Sequence, residues 1–346
     1  MAIQAYVLHG AEDLRLEQRQ ERPLGAGDVL VDVRRAGICG SDVHYYRHYR
    51  IGDFVPRNPL VLGHEFAGEV VEVGPEVRTV NPGDRVTAEP SIECGHCRYC
   101  RAGRYNLCTN LKFIGTAATV PHIDGAFSER LVVPESHCYV LPENIGFAAG
   151  ALAEPMAVGA NAVMRAGVLA GSRVLITGGG TIGQMVLAVA RVVGAADLTV
   201  ADIAQNARQF SLEHGARAAF DPADQKAVDE HTGEGFDVVF ETSGAPPALA
   251  LALRAAARGA RVVQVGTQPA EVSLPANLIM SKELTVLGSL RYAHVYPMVL
   301  EMMASGKVDV ESLVSVVYPF AQMQKAMERA VAGSGSIVKV QISRDS

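Results

Sequence analysis

The chain has 346 residues, of which 49% are hydrophobic and 20% charged, and its formal net charge is −6. This length predicts two domains, each with its own core. The acidic balance and the lack of a long basic run argue against a nucleic-acid partner. There is no signal-peptide pattern, and no apolar stretch reaches the ~18 uncharged residues that a membrane span needs. We therefore expect a cytoplasmic protein without membrane contact.

The first 150 residues have the pattern of short β-strands separated by turns. Residues 28–36 and 68–73 are rich in valine, alternate roughly between apolar and polar positions, and are bounded by Gly or Pro. Turn signals such as NPGD at 81–84 lie between such runs. The pattern predicts a β-rich domain of barrel-like character.

After Glu154 the pattern changes to apolar strands that alternate with helices. A strand at 173–177 precedes a glycine-rich turn and a helix, and a helix is also predicted at 247–258. Further strands are predicted at 198–202, 236–241, 260–265, 284–288 and, at the end of the chain, 336–342. Apolar strands that alternate with helices predict a parallel sheet covered on both faces, and so an α/β fold.

A glycine-rich motif follows the strand at 173–177. Gly178, Gly180 and Gly183 fit G-x-G-x-x-G, and Asp202 ends the next predicted strand. In this setting the motif predicts a dinucleotide site, with the pyrophosphate at the helix N-terminus. Asp202 can accept hydrogen bonds from both ribose hydroxyls and would repel a 2′-phosphate, which favours NAD over NADP. The alternative is an aspartate that only caps the following helix.

Four of the six cysteines lie in one short segment with the spacing C-x2-C-x2-C-x7-C, namely Cys94, Cys97, Cys100 and Cys108. Disulfides are disfavoured in the cytosol. Two-residue gaps let consecutive thiolates turn toward one centre, and four thiolates form a closed zinc site with no position for a substrate. An iron–sulfur cluster and four unligated thiols are the alternatives. The pattern predicts a zinc ion that holds a loop, whereas Cys138 is expected to be an inert core thiol.

A second group of ligands lies earlier in the chain. Cys39 in AGICGSDVH, with His64 and Glu65 in VLGHEF, offers one sulfur, one nitrogen and one oxygen. Three protein ligands leave one position open, as in a catalytic zinc site. Adjacent residues of a strand point to opposite faces, so the backbone has to bend at Gly63. Spacing alone does not separate this interpretation from a histidine that is simply hydrogen-bonded.

Several segments together resemble one family. GICGSDVH, LGHEFAGEVVEVG, the four-cysteine loop, AEPMAVG and GGGTIG occur in the order seen in the zinc-containing medium-chain alcohol dehydrogenases, and the resemblance covers essentially the whole chain. HYY, RIGDF, RYNLC and GSLRY resemble the branch of sorbitol (polyol) dehydrogenases and L-idonate 5-dehydrogenases. FIGTAATVPHIDGAF is more similar to the L-idonate proteins.

The resemblance implies a domain organisation and a set of cofactors. A β-rich, GroES-like catalytic domain is expected over 1–153 and 294–346. A Rossmann domain with a doubly wound parallel sheet, which binds NAD, is expected over 154–293. The implied metals are one catalytic and one structural zinc. A homotetramer or dimer is expected on the same ground.

The resemblance also assigns residues around the catalytic zinc. It implies that Cys39, His64 and Glu65 bind the metal, with Glu154 beside it as a transient ligand or as a hydrogen-bond partner of its water. The alternative for Glu154 is a carboxylate at a helix start, where the helix dipole favours it. Further catalytic positions are Ser41 and His44, which carry the alcohol proton outward in the family. Either could instead be a turn or cap residue.

Substrate and cofactor positions follow from the same comparison. Tyr45, Arg291 and Tyr292 match substrate-side positions, and Arg291 could bind a hydroxyl, a carboxylate or the cofactor. The family contacts NAD at positions Ile182, Asp202, Val265, Gly266, Thr267, Ser289 and Leu290. Polyol dehydrogenases often carry an arginine five residues after the ribose aspartate, whereas here Ala207 occupies that place and Arg208 follows it.

The expected function is oxidation of a secondary alcohol of a sugar acid, as in L-idonate 5-dehydrogenase, by NAD and zinc. Oxidation of a polyol such as sorbitol or xylitol is the alternative. A threonine-type or simple-alcohol dehydrogenase is a further rival on the same fold. The rival from another class is a nucleotide-binding protein without catalysis.

Overall fold

The computed structural model describes residues 2–333 and 338–345. Its contacts divide the chain into two compact units, one of residues 1–154 and 296–346 and one of residues 155–295. Each unit has its own buried hydrophobic cluster. Among the described residues, no helix has both the length and the apolar composition that crossing a bilayer requires.

The strands are, in chain order, β1 Ala2–Gly10, β2 Asp13–Gln20, β3 Asp28–Ile38, β4 Leu60–Val61, β5 Glu65–Val73, β6 Arg85–Ala88, β7 Ser91–Ile92, β8 Lys112–Phe113, β9 Arg130–Pro134, β10 Cys138–Val140, β11 Arg173–Thr177, β12 Asp197–Ala201, β13 Ala218–Phe220, β14 Phe236–Glu241, β15 Ala256–Gln264, β16 Thr285–Gly288, β17 Val314–Pro319 and β18 Lys339–Ser343. The α-helices are α1 Gly40–His48, α2 Arg98–Arg101, α3 Phe147–Gly150, α4 Ala153–Ala166, α5 Thr181–Val192, α6 Gln205–Glu213, α7 Gln225–Thr232, α8 Pro246–Ala255, α9 Asn277–Ser281, α10 Tyr296–Ala304 and α11 Met323–Ala332.

The first unit is built mainly from antiparallel strands, as its sequence predicts. Its large sheet has the order β10-β6-β5-β3-β18-β17, with β9 also paired to β3, and a smaller sheet has the order β2-β1-β4. Alternating valines of β3, namely Val29, Val31 and Val33, are buried. Strands of this kind need a hydrophobic face only on the core side.

The middle of the large sheet brings distant parts of the chain together. Gly37, near the end of β3, pairs with Glu65, the first residue of β5. Ile38 pairs with Val340 in β18. The end of β3, the start of β5 and the start of β18 therefore lie next to one another at the same end of these central strands.

The second unit contains a six-stranded sheet in which every strand pair is parallel. The strand order is β13-β12-β11-β14-β15-β16, which is 3-2-1-4-5-6 when counted from β11. This is the doubly wound order, in which ligands bind beyond the carboxyl ends of the strands where the order reverses. The predicted strands at 173–177 and 236–241 are confirmed, and the expected parallel sheet is present.

Two predicted elements end elsewhere than expected. The helix predicted over 247–258 ends at Ala255, and β15 begins at the next residue. The side-chain ammonium of Lys282 donates hydrogen bonds of 2.7 Å to the carbonyls of Arg254 and Ala256, which satisfies acceptors at the helix end. The strand predicted over 336–342 is β18, Lys339–Ser343, and residues 336–337 lie outside the described residues.

Central and edge positions of the parallel sheet should respond differently to the loss of side-chain volume. Val239 in β14 is fully buried, whereas Val286 in β16 is 43% exposed. We expect Val239→Ala to lower the free energy of unfolding by about 2–3 kcal/mol, because it leaves a cavity in a packed core. The matched control Val286→Ala should change it by less than ~0.5 kcal/mol. Urea unfolding measures both, and equal losses would contradict this assignment of the core.

Candidate functional site

Three side chains of the first unit converge near the end of β3. Cys39 lies between β3 and α1, and His64 directly precedes β5, which begins at Glu65. The ligand atoms of these residues lie within 4.8 Å of one another. His64 and Glu65 are 5% and 1% exposed. One sulfur, one nitrogen and one oxygen in a buried setting fit zinc with an open position.

The backbone bend expected at Gly63 is present. Gly63 has a φ of +95°, a conformation that residues with a β-carbon rarely adopt. A β-carbon at this position would also lie 2.6 Å from the ring of Phe127. The bend therefore allows the consecutive residues His64 and Glu65 to contribute to one cluster.

Asp42 is a site residue that the sequence analysis missed. It is fully buried, and its carboxylate accepts hydrogen bonds from the backbone N–H of Cys39 at 2.8 Å and of Gly63 at 3.3 Å. Its Oδ1 lies 3.7 Å from Nδ1 of His64. Asp42 thus joins the two segments that carry the candidate ligands. Its signal is local, since it is the third residue of α1 and completes a capping box with Cys39.

Charge around His64 favours its protonated form when no metal competes. Burial by itself would lower the pKa of His64, but the Asp42 carboxylate and Cys39 raise this pKa to about 10. A metal must displace that proton, so acid should weaken metal binding at this site. Glu154, which is 6% exposed in the first turn of α4, acts on His64 in the same direction.

Lys339 is a second residue that the sequence analysis missed. It is 3% exposed, and its Nζ lies 2.8 and 2.7 Å from the two carboxylate oxygens of Glu65. It also donates to the carbonyl of Ile38 at 3.2 Å. Burial would lower the pKa of Lys339, but Glu65 and then Cys39 raise it overall. A metal bound by Glu65 would share this carboxylate with Lys339.

The remaining predicted residues of this unit lie on α1. Ser41 is half-buried and His44 is exposed, with the ring of His44 centred 6.0 Å from that of His48. Tyr45 is only 2% exposed, and its hydroxyl accepts a hydrogen bond from the N–H of Ala117 at 3.2 Å. Tyr45 is therefore packed beneath the segment at 116–118, and its contact with substrate stays a prediction.

The four-cysteine loop forms a second cluster. The sulfurs of Cys94, Cys97, Cys100 and Cys108 lie within 4.8 Å of one another, and none is in a disulfide. The sulfurs of Cys97 and Cys100 are 3.4 Å apart, well beyond the ~2.05 Å of an S–S bond.

Backbone N–H groups lower the pKa of two thiols in this loop. The N–H groups of Cys100 and Thr109 lower the pKa of Cys97 to about 5, and that of His96 lowers the pKa of Cys94. These groups favour thiolates at Cys97 and Cys94, whereas burial raises the pKa of Cys100 to about 12, so a closed zinc site requires the metal to displace that proton. Burial also raises the pKa of Cys138 to about 12, and this buried thiol lies outside the cluster, in keeping with an inert thiol.

In the second unit the glycine motif lies between β11 and α5. A β-carbon at Gly183 would overlap the carbonyl oxygen of Gly178, so the third glycine allows the close approach that the motif predicts. The Asp202 carboxylate, just after β12, accepts hydrogen bonds of 2.7 Å from the N–H groups of Gly179 and Ala204. Asp202 therefore contacts both the glycine loop and the residue before α6.

Arg208 has a clear contact in the structure. Its guanidinium donates to the carbonyls of Asp202 at 2.7 Å and Ile203 at 2.9 Å, and to the Asp221 carboxylate at 3.2 Å. It anchors the segment that carries Asp202.

The other predicted cofactor positions follow β15 and β16. The N–H groups of Val265 and Gly266 donate to the carbonyl of Glu241 at 2.8 and 2.9 Å. The hydroxyl of Ser289 accepts a hydrogen bond from the side chain of Asn161 at 3.0 Å. Because the strands are parallel, these positions share the carboxyl edge of the sheet with the glycine motif and Asp202. The predicted contacts there are Gly178, Gly180, Ile182, Gly183, Asp202, Val265, Gly266, Thr267, Ser289 and Leu290.

Arg291 and Tyr292 follow at the same edge. Arg291 has a positive φ of +49°, and Tyr292 is fully buried. Their role toward a substrate stays a prediction.

An open site of mixed ligands, a four-thiolate loop and a doubly wound sheet with a glycine motif together define a zinc dehydrogenase. Residues 25–143 match the family model of the alcohol dehydrogenase GroES-like domain, and residues 181–305 match that of the zinc-binding dehydrogenases. The chain belongs to this family. The predicted fold class and enzyme class are thereby confirmed.

Relatives match the chain along nearly its whole length. D-xylulose reductase A of Aspergillus oryzae is 38% identical in an alignment of 341 positions that covers 96% of this chain and 94% of that protein. Sorbitol dehydrogenase of Bacillus subtilis is 36% identical over 346 residues, with 98% and 97% covered. These relatives support the polyol branch of the predicted family.

Solved structures give the same picture of the fold. L-idonate 5-dehydrogenase of Escherichia coli has a TM-score of 0.92 at 32% identity, with 99% and 98% of the two chains covered. A zinc-binding dehydrogenase of Sinorhizobium meliloti bound to NADP has a TM-score of 0.90 at 32% identity, and 99% of each chain is covered. An alcohol dehydrogenase of Escherichia coli in complex with NADH has a TM-score of 0.91 at 28% identity, again with 99% of each chain covered.

The four-thiolate loop should hold a metal that is not needed at the other cluster. We expect Cys97→Ser to lower the zinc content from about two to about one per chain and to reduce thermal stability. Metal analysis and thermal unfolding measure the two effects. Cys138→Ser is the control, because this buried thiol lies outside the cluster and its loss should leave zinc content unchanged. Full zinc content in Cys97→Ser would contradict a four-thiolate site.

The pair of Lys339 and Glu65 should make stability depend on zinc. Lys339→Met leaves the Glu65 carboxylate buried without its cation, which costs about 3–5 kcal/mol in the metal-free protein. A bound zinc would compensate that charge. We therefore expect the difference in Tm between zinc-loaded and chelator-treated protein to be larger for Lys339→Met than for the natural chain. Lys325→Met, at an exposed position of α11, is the control. An unchanged difference in Tm would show that zinc does not compensate the charge of Glu65.

Proposed function

We propose that this chain is an NAD-dependent polyol dehydrogenase that interconverts a secondary alcohol of a polyol such as xylitol or sorbitol with the corresponding ketose. The observation that carries the proposal is the convergence of the half-buried Cys39 with the buried His64 and Glu65, with Glu154 acting electrostatically on His64. Such a ligand set has room for a substrate oxygen. The names of the relatives that match the whole chain support the polyol as substrate.

Different residues of the site have different roles in this reaction. When bound, zinc supplies Lewis acidity and NAD supplies a two-electron acceptor. Asp42 holds the backbone of Cys39 and Gly63 in place, and Lys339 orients Glu65. Ser41 and His44, half-buried and exposed on α1, offer a route for the alcohol proton to solvent.

Asp202 supports NAD rather than NADP. Its carboxylate lies directly after β12, beside the glycine loop, where it would repel a 2′-phosphate. One nitrogen of the Arg208 guanidinium, Nη1, donates to the carbonyls of Asp202 and Ile203 and to Asp221, so Arg208 holds the segment that carries Asp202.

The relatives favour a polyol over L-idonate, although residues 113–127 by themselves predict L-idonate. The sequence relatives at 38% and 36% identity are a D-xylulose reductase and a sorbitol dehydrogenase, whereas the L-idonate enzyme is a structural neighbour at 32%. Arg291 would bind a hydroxyl of a polyol, or the carboxylate if the substrate were a sugar acid.

The expected domain bounds, the homotetramer or dimer and the cytoplasmic location remain part of the proposal. The same holds for the roles of Tyr45, Arg291 and Tyr292.

A substrate comparison tests the proposal. Zinc-loaded enzyme is given NAD with xylitol, sorbitol or L-idonate, and NADH formation is followed at 340 nm, the absorbance band of the reduced cofactor. We expect kcat/KM for xylitol or sorbitol to exceed that for L-idonate by about tenfold or more, in line with the relatives that match nearly the whole chain. The control is Glu154→Gln, which should depress turnover on every substrate alike.

Two outcomes would count against the proposal. A preference for L-idonate would restore the sugar-acid assignment and give Arg291 a carboxylate to bind. No NADH formation with any of the three would remove the polyol class, and threonine and simple secondary alcohols would then be compared.

A further inference from the structure

Glu241, the last residue of β14, is fully buried and accepts hydrogen bonds from two loops. Its Oε1 accepts from the N–H of Ser243 at 2.8 Å, the hydroxyl of Ser243 at 2.7 Å and the N–H of Gly244 at 2.9 Å. Its Oε2 accepts from the side-chain amide of Gln268 at 3.0 Å. The first three donors belong to the loop after β14 and the fourth to the loop after β15. One carboxylate thus joins two loops.

The backbone of Glu241 adds to this connection. Its carbonyl accepts the N–H groups of Val265 and Gly266 at 2.8 and 2.9 Å. A β-carbon at Gly266 would lie 2.8 Å from Oε2 of Glu241, so the loop after β15 packs directly on the carboxylate. Val265 and Gly266 are two of the predicted cofactor contacts.

The next residue extends the connection to the glycine motif. The hydroxyl of Thr242 donates to the carbonyls of Thr177 at 3.0 Å and Gly178 at 2.9 Å. Three loops at the carboxyl edge of the sheet, those after β11, β14 and β15, therefore meet at residues 241–243.

The strand order decides which half of a dinucleotide these loops would face. Asp202, the predicted ribose partner, follows β12, on one side of β11. Strands β14 and β15 lie on the other side. With the pyrophosphate at the glycine motif after β11, the adenosine half lies toward β12 and the nicotinamide half lies toward β14 and β15.

We propose that Glu241 is a positioning residue for the nicotinamide half of the cofactor, which it serves by fixing the loops after β14 and β15 relative to the glycine motif. This inference rests on the proposed use of NAD. Glu241 touches neither substrate nor reacting atoms in this role. It acts through hydrogen bonds from Ser243, Gly244 and Gln268 to its own fully buried carboxylate.

Binding of NADH and of ADP-ribose, which lacks the nicotinamide, separates this role from general stability. Glu241→Leu keeps the volume of the side chain but removes the acceptor that joins Ser243 and Gly244 to Gln268. We expect it to raise the Kd of NADH by about tenfold or more and that of ADP-ribose by less than about twofold. NADH fluorescence and calorimetry measure these values, and KM for NAD should rise more than kcat falls.

Glu241→Gln serves as the rescue variant. Its side-chain oxygen can still accept from Ser243 and Gly244, and the Gln268 amide can turn so that its oxygen, which has no partner in the described structure, faces the new amide. NADH binding should stay within about twofold of the natural chain. Glu271→Leu, at an exposed position after β15, is the control for loss of a charge.

Several results would overturn the inference. One is that Glu241→Leu raises the Kd of NADH and the Kd of ADP-ribose by the same factor. Another is that Glu241→Leu binds NADH as tightly as the natural chain does. If Glu241→Leu does not fold, Gln268→Leu removes only the link to the loop after β15, and an unchanged ratio of the two Kd values would overturn it. Failure of the natural chain to bind NADH would instead overturn the proposed function, and this inference with it.

Discussion

The buried pair of Lys339 and Glu65 is the constraint on which the first unit depends. A carboxylate that is 1% exposed beside a thiol and an imidazole carries charge that solvent cannot screen. Lys339 supplies the opposite charge from β18, and its bond to the Ile38 carbonyl fixes it at the end of β3. The alignment of β3, β5 and β18 therefore serves electrostatics as well as packing, since a slip in register would separate the charges.

The parts of the fold that the sequence predicts well are those that local pattern controls. Strands at 173–177 and 236–241 are short apolar runs bounded by turn residues, and the glycine motif needs no distant partner. The helix predicted over 247–258 ends at Ala255, where Lys282, from 26 to 28 residues further along the chain, binds the carbonyls of Arg254 and Ala256. No local pattern of the helix itself contains that information.

The candidate site likewise contains residues that local sequence can reveal and residues that it cannot. Asp42 could have been found from its place three residues after Cys39 at a helix start. Lys339 could not, because it lies 274 residues from Glu65 and only the paired strands bring the two together. Glu241 ends an apolar strand and resembles any strand-end acid until the loops after β14 and β15 are seen. The choice of substrate was equally beyond the sequence pattern, because residues 113–127 resemble one branch while whole-chain relatives favour another.

The distance between Glu65 and Lys339 along the chain has a consequence for synthesis. A ribosome makes the two clusters of candidate zinc ligands and the whole second unit before it reaches β18. Until then Glu65 has no ammonium group beside it, and the end of β3 lacks its neighbour in the sheet. In the growing chain the candidate cluster of Cys39, His64 and Glu65 is therefore incomplete, and its surroundings are completed only when β18 joins the sheet.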